Sequence, residues 1–195
     1  MKNLKIEPLI VEDATSLCHL MVSNTERFQR YLPKTLAQNG TPTDSETYIE
    51  RKNLEADEKI EFTFAIKDVI FGNVIGLIIL KDLDWDRKQG ELAYCIDKNW
   101  GGQGVMTQVV KAISTHAFSN LHLKTLHIIV HKSNTGSLRV AEKAGFIWKE
   151  TLLNEHTPPN EPAMDMELYE KCYKHENEPE TNSPLLGRGA GGEDN

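Results

Sequence analysis

Sulfur is scarce in this 195-residue chain: three cysteines, Cys18, Cys95 and Cys172, stand far apart with no C-x-x-C pair. That argues against a disulfide scaffold or a zinc knuckle and predicts reduced, mostly buried thiols. Long apolar runs are missing too. The longest, residues 74–80, is broken by Gly76, and it falls far short of the roughly 18–20 residues a membrane helix needs. The opening residues Met1-Lys2-Asn3-Leu4-Lys5 lack the apolar stretch of a secretory signal, so a cytoplasmic protein with no membrane partner is expected. Cations are the minority charge. With 22 Lys and Arg against 29 Asp and Glu, the net charge is −7. A general phosphate-backbone binder needs clustered cations, so nucleic acid is not expected as a partner. A cationic or amine-bearing small molecule suits that balance better.

What is present fits one globular core, with 39% hydrophobic and 26% charged residues. The composition changes at Lys174, after which Glu, Asn, Pro and Gly dominate and aromatic residues are absent. Such a segment buries too little apolar surface to offset its ordering entropy, which predicts a folded domain over residues 1–173 and a disordered tail over 174–195. The tail holds two cations against five carboxylates, so −3 of the −7 lies there. Its one apolar pair, Leu185-Leu186, is a possible docking peptide.

Periodicity predicts a strand over residues 4–10, a helix over 11–31 interrupted by Pro33, and a second, polar helix from the Thr41-Pro42-Thr43-Asp44 cap to Glu58. Residues 60–66 alternate as a half-buried strand. Gly72-Asn73 turns the chain into residues 74–80, a strand buried on both faces. In the next strand, residues 91–96, period two separates Glu91, Ala93 and Cys95 from Leu92, Tyr94 and Ile96. Asn99-Trp100-Gly101-Gly102-Gln103-Gly104 then leads into Val105, Met106, Val109, Val110, Ile113 and Ala117, which repeat at helical spacing. A strand over 124–130, a helix over 135–144 stopped by Gly145, and closing strands over 146–153 and 164–168 complete the pattern.

The strand, glycine-rich loop and helix around residues 92–106 carry the clearest chemistry. Glycines let a ligand approach the backbone, and a helix start offers unpaired N–H groups and a positive dipole end, which together capture an anion such as a phosphate. Neither the P-loop spacing nor the complete G-x-G-x-x-G fingerprint is present. His122, His127 and His131 lie close in sequence, but no Cys or carboxylate stands at ligand spacing, so no metal is expected. Cys95 reads as a buried thiol rather than a nucleophile, and Trp85 and Trp100 either pack or line an acceptor site.

The run from Asp97 to Thr107 resembles the acetyl-CoA pyrophosphate loop of the GNAT N-acetyltransferases, and the run from Asn134 to Phe146 resembles their later helix motif. The order and spacing of both are similar to the branch of ribosomal-protein N-terminal acetyltransferases. The resemblance covers roughly residues 4–170 and implies an α+β fold: a mostly antiparallel, splayed sheet of about seven strands with flanking helices. It implies acetyl-CoA as co-substrate, with Gly101, Gly102, Gln103, Gly104, Val105, Met106 and Thr107 at the pyrophosphate. Main-chain groups of Tyr94, Cys95 and Ile96 would run beside the pantetheine arm, and Asn134, Ser137, Arg139 and Lys143 would touch the cofactor further along. Gly101 stands where the family has Gln or Arg, and Met106 where it has a small residue, so backbone N–H groups carry the contact.

Acyl transfer to an amine needs a base for the amine, a donor for the developing oxyanion and an acid for the leaving sulfur. Glu91 is the candidate base, directly or through a water, with a solvated strand-end carboxylate as the alternative. A backbone N–H near Cys95 or Ile96 is the oxyanion donor. Ser137 is the candidate acid, Tyr169 or Tyr173 the fallback, and Asn134 or Ser137 could equally just cap the helix. The implied acceptor is a protein or peptide N-terminal amine, with a polyamine or aminoglycoside-like amine next and an idle CoA-binding or ribosome-associated module as a different class. Residues 27–31 and the loop over 34–43 are expected to shape the acceptor site. The enzyme would be a monomer or homodimer.

Overall fold

The computed structural model describes residues 4–173, so the expected tail, with Leu185-Leu186, lies outside the described residues. Seven strands form one sheet in the order β1-β2-β3-β4-β5-β7-β6. They are β1 (Leu4–Pro8), β2 (Phe62–Asp68), β3 (Val74–Asp84), β4 (Gln89–Ile96), β5 (Thr125–Val130), β6 (Ile147–His156) and β7 (Met164–Cys172). Every neighbouring pair is antiparallel except β4 and β5. The α+β expectation and its seven strands hold.

The helices are α1 (Ala14–Ser23), α2 (Thr25–Phe28), α3 (Pro33–Ala37), α4 (Pro42–Asp57), α5 (Val105–Ser119) and α6 (Thr135–Lys143). They divide between the two faces. Val105, Val109, Val110 and Ile113 of α5 pack on Ile78, Leu80 and Leu92. Leu17 and Met21 of α1, with Tyr48 and Ile49 of α4, pack on Ala65, Leu77 and Cys95. Period two along β4 is thus real, since Leu92 and Cys95 enter opposite cores. Residues 74–80 of β3 are buried throughout, as their unbroken apolar run predicts.

Two stretches correct the sequence reading. The single helix expected over 11–31 is broken into a 3-10 turn (Val11–Asp13), α1 and α2. The break falls at Asn24, which leaves helical geometry with φ −119° and sends its side-chain amide back to the Leu20 carbonyl. Residues 34–43, expected as a loop, contain most of α3, started by Pro33 at its first turn. The α4 cap is as read: Thr41 accepts from the Asp44 N–H at 3.1 Å and Asp44 accepts from the Thr41 N–H at 3.0 Å. Cys18 and Cys95 are buried, whereas Cys172 is exposed, because β7 runs four residues beyond its expected end toward the surface.

Candidate active site

The sheet opens where its one parallel pair ends. Strands β4 and β5 pair only at Gln89 with Thr125, Gly90 with Leu126 and Glu91 with His127. Beyond Glu91 they part, although β4 continues to Ile96 and β5 to Val130. On its other edge β4 stays paired with β3 as far as Ile96. Gly76 permits that approach, since a Cβ there would lie 2.5 Å from the Cys95 carbonyl. The result is a wedge with backbone of β4 left without a strand partner, and a cavity of about 780 Å³ fills it.

The glycine loop closes one end of the cavity. Gly102 and Gly104 adopt φ of +75° and +77°, which other residues reach only with strain, and Gly104 is the N-cap of α5. No side chain caps that helix. The N–H groups of its first turn are therefore free to meet an anion. Gly101, Gly102, Gly104, Val105, Met106 and Thr107 all line the cavity. Gln103 does not: its amide folds back to donate to the Asn99 carbonyl at 2.8 Å, so only its backbone is available to a ligand.

A buried network holds the base of this loop. Asn24, 2% exposed, donates to Leu20 O and Asp97 Oδ2, each at 2.9 Å, and its Oδ1 accepts from the Lys98 N–H at 3.0 Å and from Arg27 at 3.3 Å. Arg27 in turn donates to the Ile96 carbonyl at 3.2 Å. Burial raises the Asp97 pKa, but the hydrogen bonds from Asn24 and Asn99 outweigh it and hold the carboxyl below its usual range. The break between α1 and α2 thus anchors the end of β4.

Across the wedge stands α6. Asn134 is its N-cap and accepts from the Ser137 N–H at 3.2 Å, so the capping role is realised. Asn134, Ser137, Arg139 and Lys143 all line the cavity. The Ser137 carbonyl accepts from the Tyr94 hydroxyl at 3.2 Å, and the Ser137 hydroxyl makes no bond among the described residues. Tyr94, Cys95 and Ile96 line the wedge from β4. Burial pushes the Cys95 thiol up to about 12, which leaves it protonated and unreactive. The fallback acids Tyr169 and Tyr173 are not among the lining residues: Tyr169 is packed in the core and Tyr173 is on the surface against Phe118.

Glu91 sits at the inner end of the wedge, its side chain 15% exposed, with Lys81 Nζ at 3.0 Å. It is a paired, half-enclosed carboxylate rather than a solvated one. Burial raises its pKa, and the attraction of Lys81 offsets this only in part; Asp82 and Glu155 add to the rise. Lys81 is driven the other way by burial, yet Glu91 and Asp82 prevail and raise its pKa, which keeps it charged. A carboxylate held above its ordinary range is better matched to accepting a proton near neutrality.

Of residues 27–31, expected at the acceptor site, Arg27, Phe28 and Tyr31 line the cavity; the partners of this segment, His131, His156 and Glu161, are what sequence reasoning missed. Tyr31 lies within 6.4 Å of the His131 ring and stacks at 6.3 Å on His156. The His156 ring donates to the Arg30 carbonyl at 2.7 Å, and Arg30 pairs with Glu161 at 2.7 Å. These contacts tie the segment after α2 to the β6–β7 connection. The one available signal was that His131 and His156 stand at strand ends, where open sheets bind ligands. Trp100 lines the wedge, whereas Trp85 lines a second cavity and donates to the Lys59 carbonyl at 3.1 Å. His127 pairs with Glu170, and no group of three or more His, Cys, Asp or Glu among the described residues is arranged to hold a metal. Among the described residues no helix is long and apolar enough to cross a membrane.

Solved structures share this architecture. A ribosomal-protein-S5-alanine acetyltransferase from Vibrio fischeri superposes with a TM-score of 0.82 at 17% identity, over 88% of this chain and 94% of that one. The microcin C7 self-immunity acetyltransferase MccE, solved with acetyl-CoA and AMP, gives 0.78 at 18% identity, over 89% and 94%. The fold is that of the N-acetyltransferases. Among curated proteins, YjcK of Bacillus subtilis (strain 168), named as a probable N-acetyltransferase, is 31% identical over 150 residues, 74% of this chain and 81% of its own. The profile of the acetyltransferase (GNAT) domain matches residues 3–147, and the chain belongs to that family.

The residues present fit acetyl-CoA. The uncapped start of α5 with left-handed Gly104 suits a pyrophosphate, and the unpaired edge of β4 suits an amide-bearing arm. Arg139 and Lys143, exposed on the cavity wall, suit a further phosphate.

Proposed function

We propose that this GNAT enzyme acetylates the N-terminal amine of a protein or peptide in the cytoplasm. The observation that carries the reading is the wedge between β4 and β5, with an anion-binding helix start at one end and the Glu91–Lys81 pair at the other. The fold shared with the ribosomal-protein-S5-alanine acetyltransferase supports a protein acceptor.

Bound acetyl-CoA would supply the thioester carbon that an amine attacks. Backbone N–H groups of residues 101–107 hold the pyrophosphate, and Arg139 and Lys143 hold the outer phosphate. The β4 backbone near Cys95 and Ile96 orients the arm and donates to the developing negative oxygen. Glu91 takes the proton that the acceptor ammonium must lose, directly or through a water, while Lys81 fixes its orientation. Ser137, whose hydroxyl makes no bond among the described residues, gives a proton to the departing sulfur. Tyr94 acts on Ser137 by binding its carbonyl.

The test measures free CoA thiol released from acetyl-CoA with peptides beginning in Ala or Ser, with the same peptides blocked at the N-terminus, and with spermidine. Mass spectrometry locates the acetyl group. Turnover of free but not blocked peptides is expected. Turnover of spermidine alone, or cofactor binding with no turnover of any acceptor, would overturn the reading.

A further inference from the structure

A second cavity, about 1180 Å³, lies between α3, α4 and strands β3 and β4. Tyr31, Leu32, Lys81, Ala93 and His156 belong to the walls of both cavities, so the two meet beside the Glu91–Lys81 pair. An acceptor whose amine reaches Glu91 from this side leaves the rest of itself in the second cavity.

The charges of its wall divide into committed and uncommitted groups. Five cations, Lys34, Arg51, Lys52, Lys59 and Lys81, face four carboxylates, Glu55, Glu58, Glu61 and Asp82. Glu55 is held by Lys52 at 2.6 Å and by Arg51 at 3.4 Å, and Glu61 by Lys52 at 2.7 Å. Lys81 holds Asp82 at 2.6 Å as well as Glu91. Arg51 and Lys52 also lie 5.5 Å from the centre of the Tyr48 ring, which fixes them further. Among the described residues, Lys34, Lys59 and Glu58 of this wall have no ion-pair partner. A polycation entering here meets two like charges and one open carboxylate. An acidic side chain meets the same set with the signs reversed, two open ammonium groups and one open carboxylate, a net attraction. The local balance therefore runs against the whole-chain charge of −7.

We propose that the second cavity selects acceptors with acidic side chains just after the reacting amine, so that the substrate class is an acidic peptide N-terminus and not a polyamine. The proposal rests on the N-terminal acetyltransferase reading. Lys34 and Lys59 are exposed at the cavity, so their effect is an open electrostatic one that salt screens.

The experiment compares kcat/KM for matched peptides with Ser first and Asp or Glu, Gln, or Lys at the next three positions, at low and high salt, with spermidine alongside. Acidic peptides should exceed basic ones by about tenfold at low salt, and the ratio should fall toward one as the Debye length shrinks to about 3 Å near 1 M salt. The double variant Lys34→Glu, Lys59→Glu should reverse the preference while acetyl-CoA affinity stays at the wild-type value. Peptide turnover without an acidic preference, or with a basic one, would overturn this proposal and leave the function standing. Turnover of spermidine with no peptide would overturn both. A preference that salt does not reduce would overturn the electrostatic assignment in the wild-type enzyme, whatever the variant does.

Discussion

Asn24 offers the sharpest test of how the junction of α1 and α2 holds the base of the glycine loop. Its carboxamide is 2% exposed and makes four bonds, to Leu20 O, Asp97 Oδ2, Lys98 N and Arg27. Asn24→Leu removes the partner of the buried Leu20 carbonyl and of the partly enclosed Lys98 N–H and Asp97 carboxylate, at about 1 kcal/mol each. A loss near 3 kcal/mol is expected, or about 6–12 °C in Tm at this chain length. Asn24→Asp is the more informative change. It keeps an acceptor for Lys98 N but puts a second carboxylate where the amide donor stood, 2.9 Å from Asp97 Oδ2. At pH 7 both are ionised and repel, so this variant too should be destabilised by about 3 kcal/mol. Its pH dependence has the opposite sign to that of the native pair. In the wild type Asp97 is held below its ordinary pKa, so its stabilisation is present above the usual carboxylate range and is lost as pH falls through the lowered value. In Asn24→Asp one carboxyl is raised, and acidification to about pH 5 should let the pair share a proton and recover part of the deficit. Urea unfolding from pH 5 to 8 measures this, with acetyl-CoA affinity as the functional readout. A variant as stable as wild type at pH 7, or a deficit that does not shrink on acidification, would refute the network.

Other predictions address the site itself. Gly104→Asp puts a carboxylate at the uncapped start of α5; at ~1 kcal/mol for each of the two pyrophosphate charges it should weaken acetyl-CoA by about thirtyfold. The left-handed backbone limits the stability cost to roughly 1 kcal/mol, and unchanged affinity by calorimetry would sink the loop assignment. Glu91→Gln should lower kcat, most above the pH at which Glu91 ionises in the wild type, and should remove an acid limb that lies above the ordinary carboxylate range. An unaltered pH–rate profile would take Glu91 out of the mechanism. Ser137→Ala should lower kcat about tenfold or more with little change in acetyl-CoA affinity, and wild-type turnover would retire it as the acid.

Residue spacing alone fixed a good deal of this molecule. Val105, Met106, Val109, Val110, Ile113 and Ala117 repeat at helical period, and all six are buried on α5. The glycines before them could only be a turn that opens a helix, and Gly102 and Gly104 take the backbone angles only glycine accepts freely. Alternation along residues 91–96 assigned Leu92 and Cys95 to opposite faces, because side chains on a strand alternate whatever it pairs with. Such features are local, decided by a few bonds of chain.

Tertiary structure decided what depends on partners distant in sequence. The break of the first helix at Asn24 could not be read, because the bonds that settle it reach Asp97 and Lys98, some 73 residues on. The splay of the sheet was implied by the family resemblance, but spacing alone could not place the parting of β4 from β5 after Glu91, since both strands read as unbroken. Glu91 itself was visible, but Lys81 and the burial that raises its pKa belong to a neighbouring strand and to the packing around it. The charge count read the chain as acidic and suited to a cation, whereas ion pairing in the second cavity leaves Lys34 and Lys59 open there. Composition counts charges, and only the fold determines which of them are neutralised by a neighbour and which still face a substrate.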